Sequence, residues 1–172
     1  LGLNLSHYEC GSHAPHDKEA REKARQSNTI FTSFHNNCSG KHSGMLSLAK
    51  KLKTKTNGYT QIDHPVQQTI FKQLAKLTGH NHFSTGTDGC SVPTPFLSLQ
   101  IIAKLFQKLG SVKYPELVEA YRAMVKHPYL IGGKNRFDTE FNYALRGRGI
   151  CKAGGEAIRG IVIKTKKYGL TG

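Results

Sequence analysis

The chain has no tryptophan, two methionines and only 11 acidic residues against 25 lysines and arginines. The missing tryptophan excludes nothing by itself. The shortage of acid leaves a net charge of +14, which favours anionic partners and carries no information about fold. Long hydrophobic runs are also absent. No stretch reaches the ~18 uninterrupted apolar residues of a membrane span. The most apolar segment, residues 92–103 (VPTPFLSLQIIA), is interrupted by proline and polar residues. The opening LGLNL has no basic flank and no long apolar centre, so it is not a signal peptide. Cysteine is sparse. Cys10, Cys38, Cys90 and Cys151 are spread along the chain with no Cys-x-x-Cys pair. That is too thin for a secreted disulfide scaffold and lacks the local spacing of a zinc finger. Reduced thiols and a cytoplasmic location are the expectation.

What is present fits a folded domain. Apolar residues make up 37% of the chain, aromatics 9% and charged residues 21%, which excludes disorder and a collagen-like repeat. At 172 residues the chain suits one ordinary domain. It opens on Leu1 rather than Met, and it stops at Gly172 shortly after an apolar run. The expectation is therefore a single partial domain over residues 1–172, an internal piece of a longer protein.

Residues 17–26 (DKEAREKARQ) predict a solvated surface helix capped by Asp17. Residues 42–52 carry Met45, Leu46, Leu48, Ala49 and Leu52 at helical spacing. The stretch Asp63-His64-Pro65 predicts a helix start, with Pro65 in the first turn and Gly79 as the stop. Residues 96–109 predict a buried helix ending at Gly110. Residues 115–126 predict another, with Leu117, Val118, Tyr121 and Val125 inward, and residues 138–145 a short one. Residues 148–152 and 158–164 read as strands around Gly154-Gly155. The class is α+β, a mainly helical region followed by a strand pair. A two-stranded sheet is not stable alone, which again points to missing sequence.

Three glycine-containing loops combine reactive side chains. The first, HNNCSGKH, brings Cys38 and Lys41 three residues apart across a Ser-Gly turn just before a helix. Helix N-termini lower a thiol's pKa and bind anions. The plain alternative is a helix cap with Ser39 as the capper. The second, GTDGCSVPTP, holds Asp88 and Cys90; its alternative is a tight turn with Asp88 bonding its own backbone. The third, GICKAGGEA, places Lys152 at a strand end, where it could also be an exposed hairpin lysine. Two thiols, a lysine and a carboxylate could hold zinc, which prefers four ligands. A lysine ligand must be neutral, so the metal would have to pull its pKa far below about 10.4. A decoy also exists. Ser47-Leu48-Ala49-Lys50 matches the Ser-x-x-Lys pattern of lysine-activated serine nucleophiles, but it falls inside an amphipathic helix.

The segments HNNCSGKHSGML, GYTQIDHPVQ, GTDGCSVPTPFLSL, HPYLIGGKNRFDT and KAGGEA occur in that order. Together they resemble the L-asparaginase II family, the type first known from rhizobia and unrelated to the threonine-nucleophile bacterial asparaginases. The resemblance implies a serine β-lactamase or penicillin-binding-like fold, of which this chain would be the helical middle plus the strand pair. It implies hydrolysis of L-asparagine to L-aspartate and ammonia. It implies a zinc ion on Cys38, Lys41 and Cys90, with a water as fourth ligand. Asp88 would act close by or on substrate, His42 would line the pocket, and Lys152 would be the active-site lysine. Cys10 and Cys151 would stand outside the zinc set. The family's nucleophile lies in an Arg-Ser-x-x-Lys-Pro motif, which this chain lacks. The 172 residues alone are expected to be inactive, with the nucleophile supplied by the rest of a longer chain.

Two other functions compete. A basic nucleic-acid-binding module would use the positive charge, but the basic residues are dispersed and no recognition motif accompanies them. A penicillin-type serine hydrolase is favoured only by analogy of fold. The partner expected is a small molecule, L-asparagine, with no membrane contact; nucleic acid is disfavoured and a homodimer is left open.

Overall fold

The computed structural model describes residues 1–111, 113–155, 158–167 and 169–172. Val112, Glu156, Ala157 and Tyr168 fall outside them, so the last two residues of the KAGGEA motif lie outside the described residues. The architecture is mixed helix and strand with two small antiparallel sheets, in agreement with the α+β expectation. The chain divides into two compact units, Leu1–Phe96 and Leu97–Gly172. No helix among the described residues is long and apolar enough to cross a membrane.

The first unit holds α1 (Lys18–Gln26), α2 (Ser39–Lys51), α3 (Pro65–Thr78) and a hairpin of β1 (Thr85–Thr87) and β2 (Pro93–Pro95). The Asp17 carboxylate accepts the Ala20 N–H at 2.7 Å and caps α1, which buries no residue. Helix α2 starts three residues earlier than the apolar spacing indicates, because polar residues form its first turn. Its inner face, Met45, Leu46 and Ala49, forms the core with Cys10, Tyr59, Val66, Cys90 and Val92. Helix α3 starts at Pro65, with His64 accepting the Val66 N–H, and stops at Gly79, whose φ of +77° is cheap only for glycine. The hairpin was not legible as strands. Each strand has three residues, and two prolines in β2 hide the pattern.

The second unit holds α4 (Leu99–Leu109), α5 (Pro115–Lys126), α6 (Pro128–Gly132), α7 (Phe137–Leu145) and a sheet of β3 (Gly149–Ala153), β4 (Arg159–Thr165) and β5 (Gly169–Thr171) in that order. Two expectations need correction. Helix α4 begins at Leu99, where Ser98 caps the Ile101 N–H, and none of its residues is buried. It lays one apolar stripe on β4 and leaves Leu99 71% exposed. The strand pair is a three-stranded sheet, since the short β5 pairs with β4 from Ile163↔Thr171 to Thr165↔Gly169. The expected inward residues of α5, together with Met124, are its half-buried ones.

The β3–β4 register pairs Lys152 with Gly160 and Cys151 with Ile161. A Cβ on Gly160 would run into the Phe106 ring of α4. Gly160 is therefore what lets α4 lie close to the sheet. By contrast, a Cβ on Gly44 of α2 would meet nothing within 4 Å. Two glycine-to-alanine changes should thus have opposite signs. Gly160→Ala should cost about 1–3 kcal/mol through overpacking. Gly44→Ala should stabilise by about 0.5–1 kcal/mol through helix propensity. Denaturant midpoints of the two variants against the parent check both.

Candidate functional site

The first unit gathers four of the expected residues. Cys38 is the N-cap of α2, and its amide is met by the Asn36 side-chain oxygen at 2.8 Å rather than by a cap of its own. Asn36 also donates to the Cys10 carbonyl at 2.7 Å, which ties the N-terminal segment to this loop. Ser39 is the first helical residue, so it is not the capper. Lys41 follows in the same turn, and its Nζ meets Asp88 Oδ2 at 2.6 Å.

Asp88 closes the β1–β2 turn. Its Oδ1 accepts the amides of Cys90 at 2.9 Å and Val92 at 3.0 Å, as well as the Cys90 thiol at 3.0 Å. The turn alternative for this loop is therefore realised, and the same carboxylate reaches Lys41. Ser91 takes a positive φ of 70° to complete the turn. The side chains of Lys41 and Cys38 also act on the Cys90 thiol, Lys41 lowering its pKa and Cys38 raising it. Two sulfurs, an amine and a carboxylate thus share one small region, half-exposed at Lys41 and buried at Cys90.

The electrostatics follow from this crowding. Burial works against the Asp88 charge, but hydrogen bonds from Cys90, Lys41 and two backbone amides outweigh it and hold the carboxyl well below its ordinary range. Burial likewise disfavours charge on Lys41, yet Asp88 and Cys90 raise its pKa overall. Burial and the Asp88 carboxylate push the Cys90 thiol up to about 12. The Lys41 amine and the Cys90 thiol thus keep their protons beside one carboxylate. No group of three or more His, Cys, Asp or Glu side chains placed to hold a metal occurs among the described residues. The expected ligand set is different, with a lysine as its third member. Its two soft thiols and one amine are donors zinc accepts, provided each ligating group gives up a proton.

His42 lies behind the cluster. It has no exposed surface, and its Nδ1 is 2.5 Å from the Tyr59 hydroxyl. Burial first, then the Lys41 charge, lowers its pKa. The Tyr59 oxygen also accepts the Glu9 amide at 2.9 Å, while the Glu9 carboxylate accepts from the Gly58 amide and the Thr60 hydroxyl. Sequence reasoning missed Asn36, Glu9 and Tyr59 as supports. Their only signal was adjacency to the motifs: Glu9 precedes Cys10, and Tyr59 sits inside GYTQIDHPVQ.

Cys10 bonds the Ser33 carbonyl at 3.7 Å inside the core. Ser47 is exposed, and its hydroxyl donates to the Ser43 carbonyl of its own helix at 2.8 Å. That hydroxyl proton is engaged by the main chain of its own helix. In the second unit, Lys152 is exposed and its amine donates to the Ala153 carbonyl. Cys151 next to it is fully buried and meets Asp138 at 3.2 Å, so the two side chains point to opposite faces, as strand alternation requires.

A comparison with curated proteins finds no match. A family model described as L-asparaginase II matches residues 1–171. That span covers both units and every motif discussed above. The chain therefore belongs to the L-asparaginase II family.

Proposed function

We propose that this protein hydrolyses the side-chain amide of L-asparagine to L-aspartate and ammonia. The family match over residues 1–171 carries the reading. The meeting of Lys41, Asp88 and Cys90 supports it, because it brings an ammonium, a carboxylate and a thiol from two separate loops to one half-exposed place. In this reading the fold is the serine β-lactamase-like one, and the nucleophile is a serine outside these residues.

The reaction needs a hydroxyl to attack the amide carbon, a donor to protonate the departing ammonia, and a water to release aspartate from the resulting ester. Lys152 would stabilise developing charge or lower the pKa of its neighbour. Cys38, Lys41 and Cys90 would hold a zinc ion, which when bound supplies Lewis-acid recognition of a substrate oxygen. Asp88 would keep accepting an N–H of Lys41 after that amine became neutral, which orients the nitrogen lone pair. It is also the anionic group nearest the site and would meet the substrate's ammonium. His42 would form the wall behind Lys41.

Two measurements test this. Ammonia release from L-asparagine by the whole protein should fall at least about 100-fold in Lys152→Ala, as loss of a positioned acid–base group does. Ser47→Ala should leave it within about twofold, because that hydroxyl is already spent on its own helix. Ammonia release abolished by Ser47→Ala would overturn the assignment of the nucleophile. Separately, zinc retained after dialysis should be lost in Cys38→Ser and Cys90→Ser and kept in Cys151→Ser. Loss on Cys151→Ser with retention on Cys38→Ser would overturn the ligand set.

A further inference from the structure

The face of the sheet away from Lys152 carries polar groups that the proposed reaction does not use. β3 is an edge strand, since the sheet order is β3-β4-β5. The outward main-chain groups of an edge strand need partners, and when no strand supplies them a side chain or water must. Residues 151 and 153 present theirs to α7. The Asn142 side chain accepts the Cys151 N–H at 2.6 Å and donates to the Cys151 carbonyl at 2.8 Å. One amide side chain thus does for Cys151 what a neighbouring strand would do. One turn earlier on the same helix, Asp138 Oδ2 accepts the Ala153 N–H at 3.0 Å. Its other oxygen is met by Arg159 Nε at 2.8 Å, and the Arg159 guanidinium lies over the Phe137 ring.

Both side chains are buried, Asn142 at 4% and Asp138 at 6% exposure. Asparagine is a poor residue for a helix interior, and burying its amide is costly unless each polar atom is satisfied. A leucine would serve better if packing were the only demand. The residues held are the two that flank Lys152. The lysine therefore projects from a main chain held on both sides.

We propose that Asn142, together with Asp138, is a positioning residue for Lys152. The proposal rests on Lys152 being the active-site lysine. Neither side chain touches substrate; they fix the strand from which the lysine acts.

The test uses the whole enzyme. Asn142→Leu removes both hydrogen bonds at similar volume, and Asn142→Asp keeps the acceptor while losing the donor. Asn142→Leu should lower kcat about 10- to 100-fold, the usual effect of a small misplacement of a reacting group. KM should stay within about threefold, since substrate binding is not the function removed. Asn142→Asp should fall between it and the parent. Amide hydrogen exchange at Cys151 and Ala153 should quicken at least about tenfold in Asn142→Leu. Leu145→Ala, which removes a buried side chain from the same helix but none of the hydrogen bonds to Cys151 or Ala153, gives the comparison for stability alone. It should lower Tm without lowering kcat. A folded Asn142→Leu with kcat within about twofold of the parent would overturn the proposal. So would an equal loss of kcat in Leu145→Ala at equal loss of Tm. If Asn142→Leu does not fold, Asn142→Asp decides by the same comparison. If the parent enzyme releases no ammonia from asparagine, the proposed function falls and the exchange comparison decides the positioning: unchanged exchange overturns it, faster exchange supports it.

Discussion

The Asp88 carboxylate is the constraint on which the first unit turns. One oxygen closes the β1–β2 turn through two backbone amides, and the other holds Lys41 at the start of α2. A hairpin of two three-residue strands has little stability of its own. It is kept in place by this carboxylate and by Cys90 and Val92 entering the core. The same atoms that fix the fold here also set the charge of the site. The Lys41–Asp88 contact contributes to both the lowered Asp88 pKa and the raised Lys41 pKa, with Cys90 acting on each as well.

The second unit solves a different problem. An exposed lysine at the end of an edge strand would by default be mobile. The fold supplies firmness from the other side of the sheet, through two side chains of α7 spaced one turn apart. Gly160, paired with Lys152, lets Phe106 of α4 close against the sheet. Both devices act on main chain rather than on the lysine amine.

Much of this was legible in the sequence, for identifiable reasons. Helices with a strong cap and stop, such as Lys18–Gln26 and Pro65–Thr78, came within a residue or two because Asp17, Pro65 and Gly79 each have one dominant local use. Asp88 was singled out by its flanking glycines, and the tight turn weighed as the plain reading of that loop is present. What failed was long-range. The burial of residues 96–109 was overestimated, since apolar periodicity says which face turns inward but not how much lies against it. The strand β5 is only three residues long and carries no alternation to detect. Asn36, Asn142 and Glu9 were invisible as supports, because a buried polar side chain differs from a surface one only in its partners. Those partners lie 26, 9 and 49 residues away.

The order of assembly follows from where the four groups of the first unit sit. Cys38 and Lys41 come together as soon as the first turn of α2 forms. Asp88 and Cys90 join them only when the chain closes a loop of 47 residues between Lys41 and Asp88. That closure carries an entropy cost, which the nearer contacts His42–Tyr59 and Met45–Gln67 reduce by shortening the loop. A ligand requiring both halves has nothing to grip on a nascent or unfolded chain. It meets its site only in the finished unit, and every molecule of it bound there draws the folding equilibrium toward the native state.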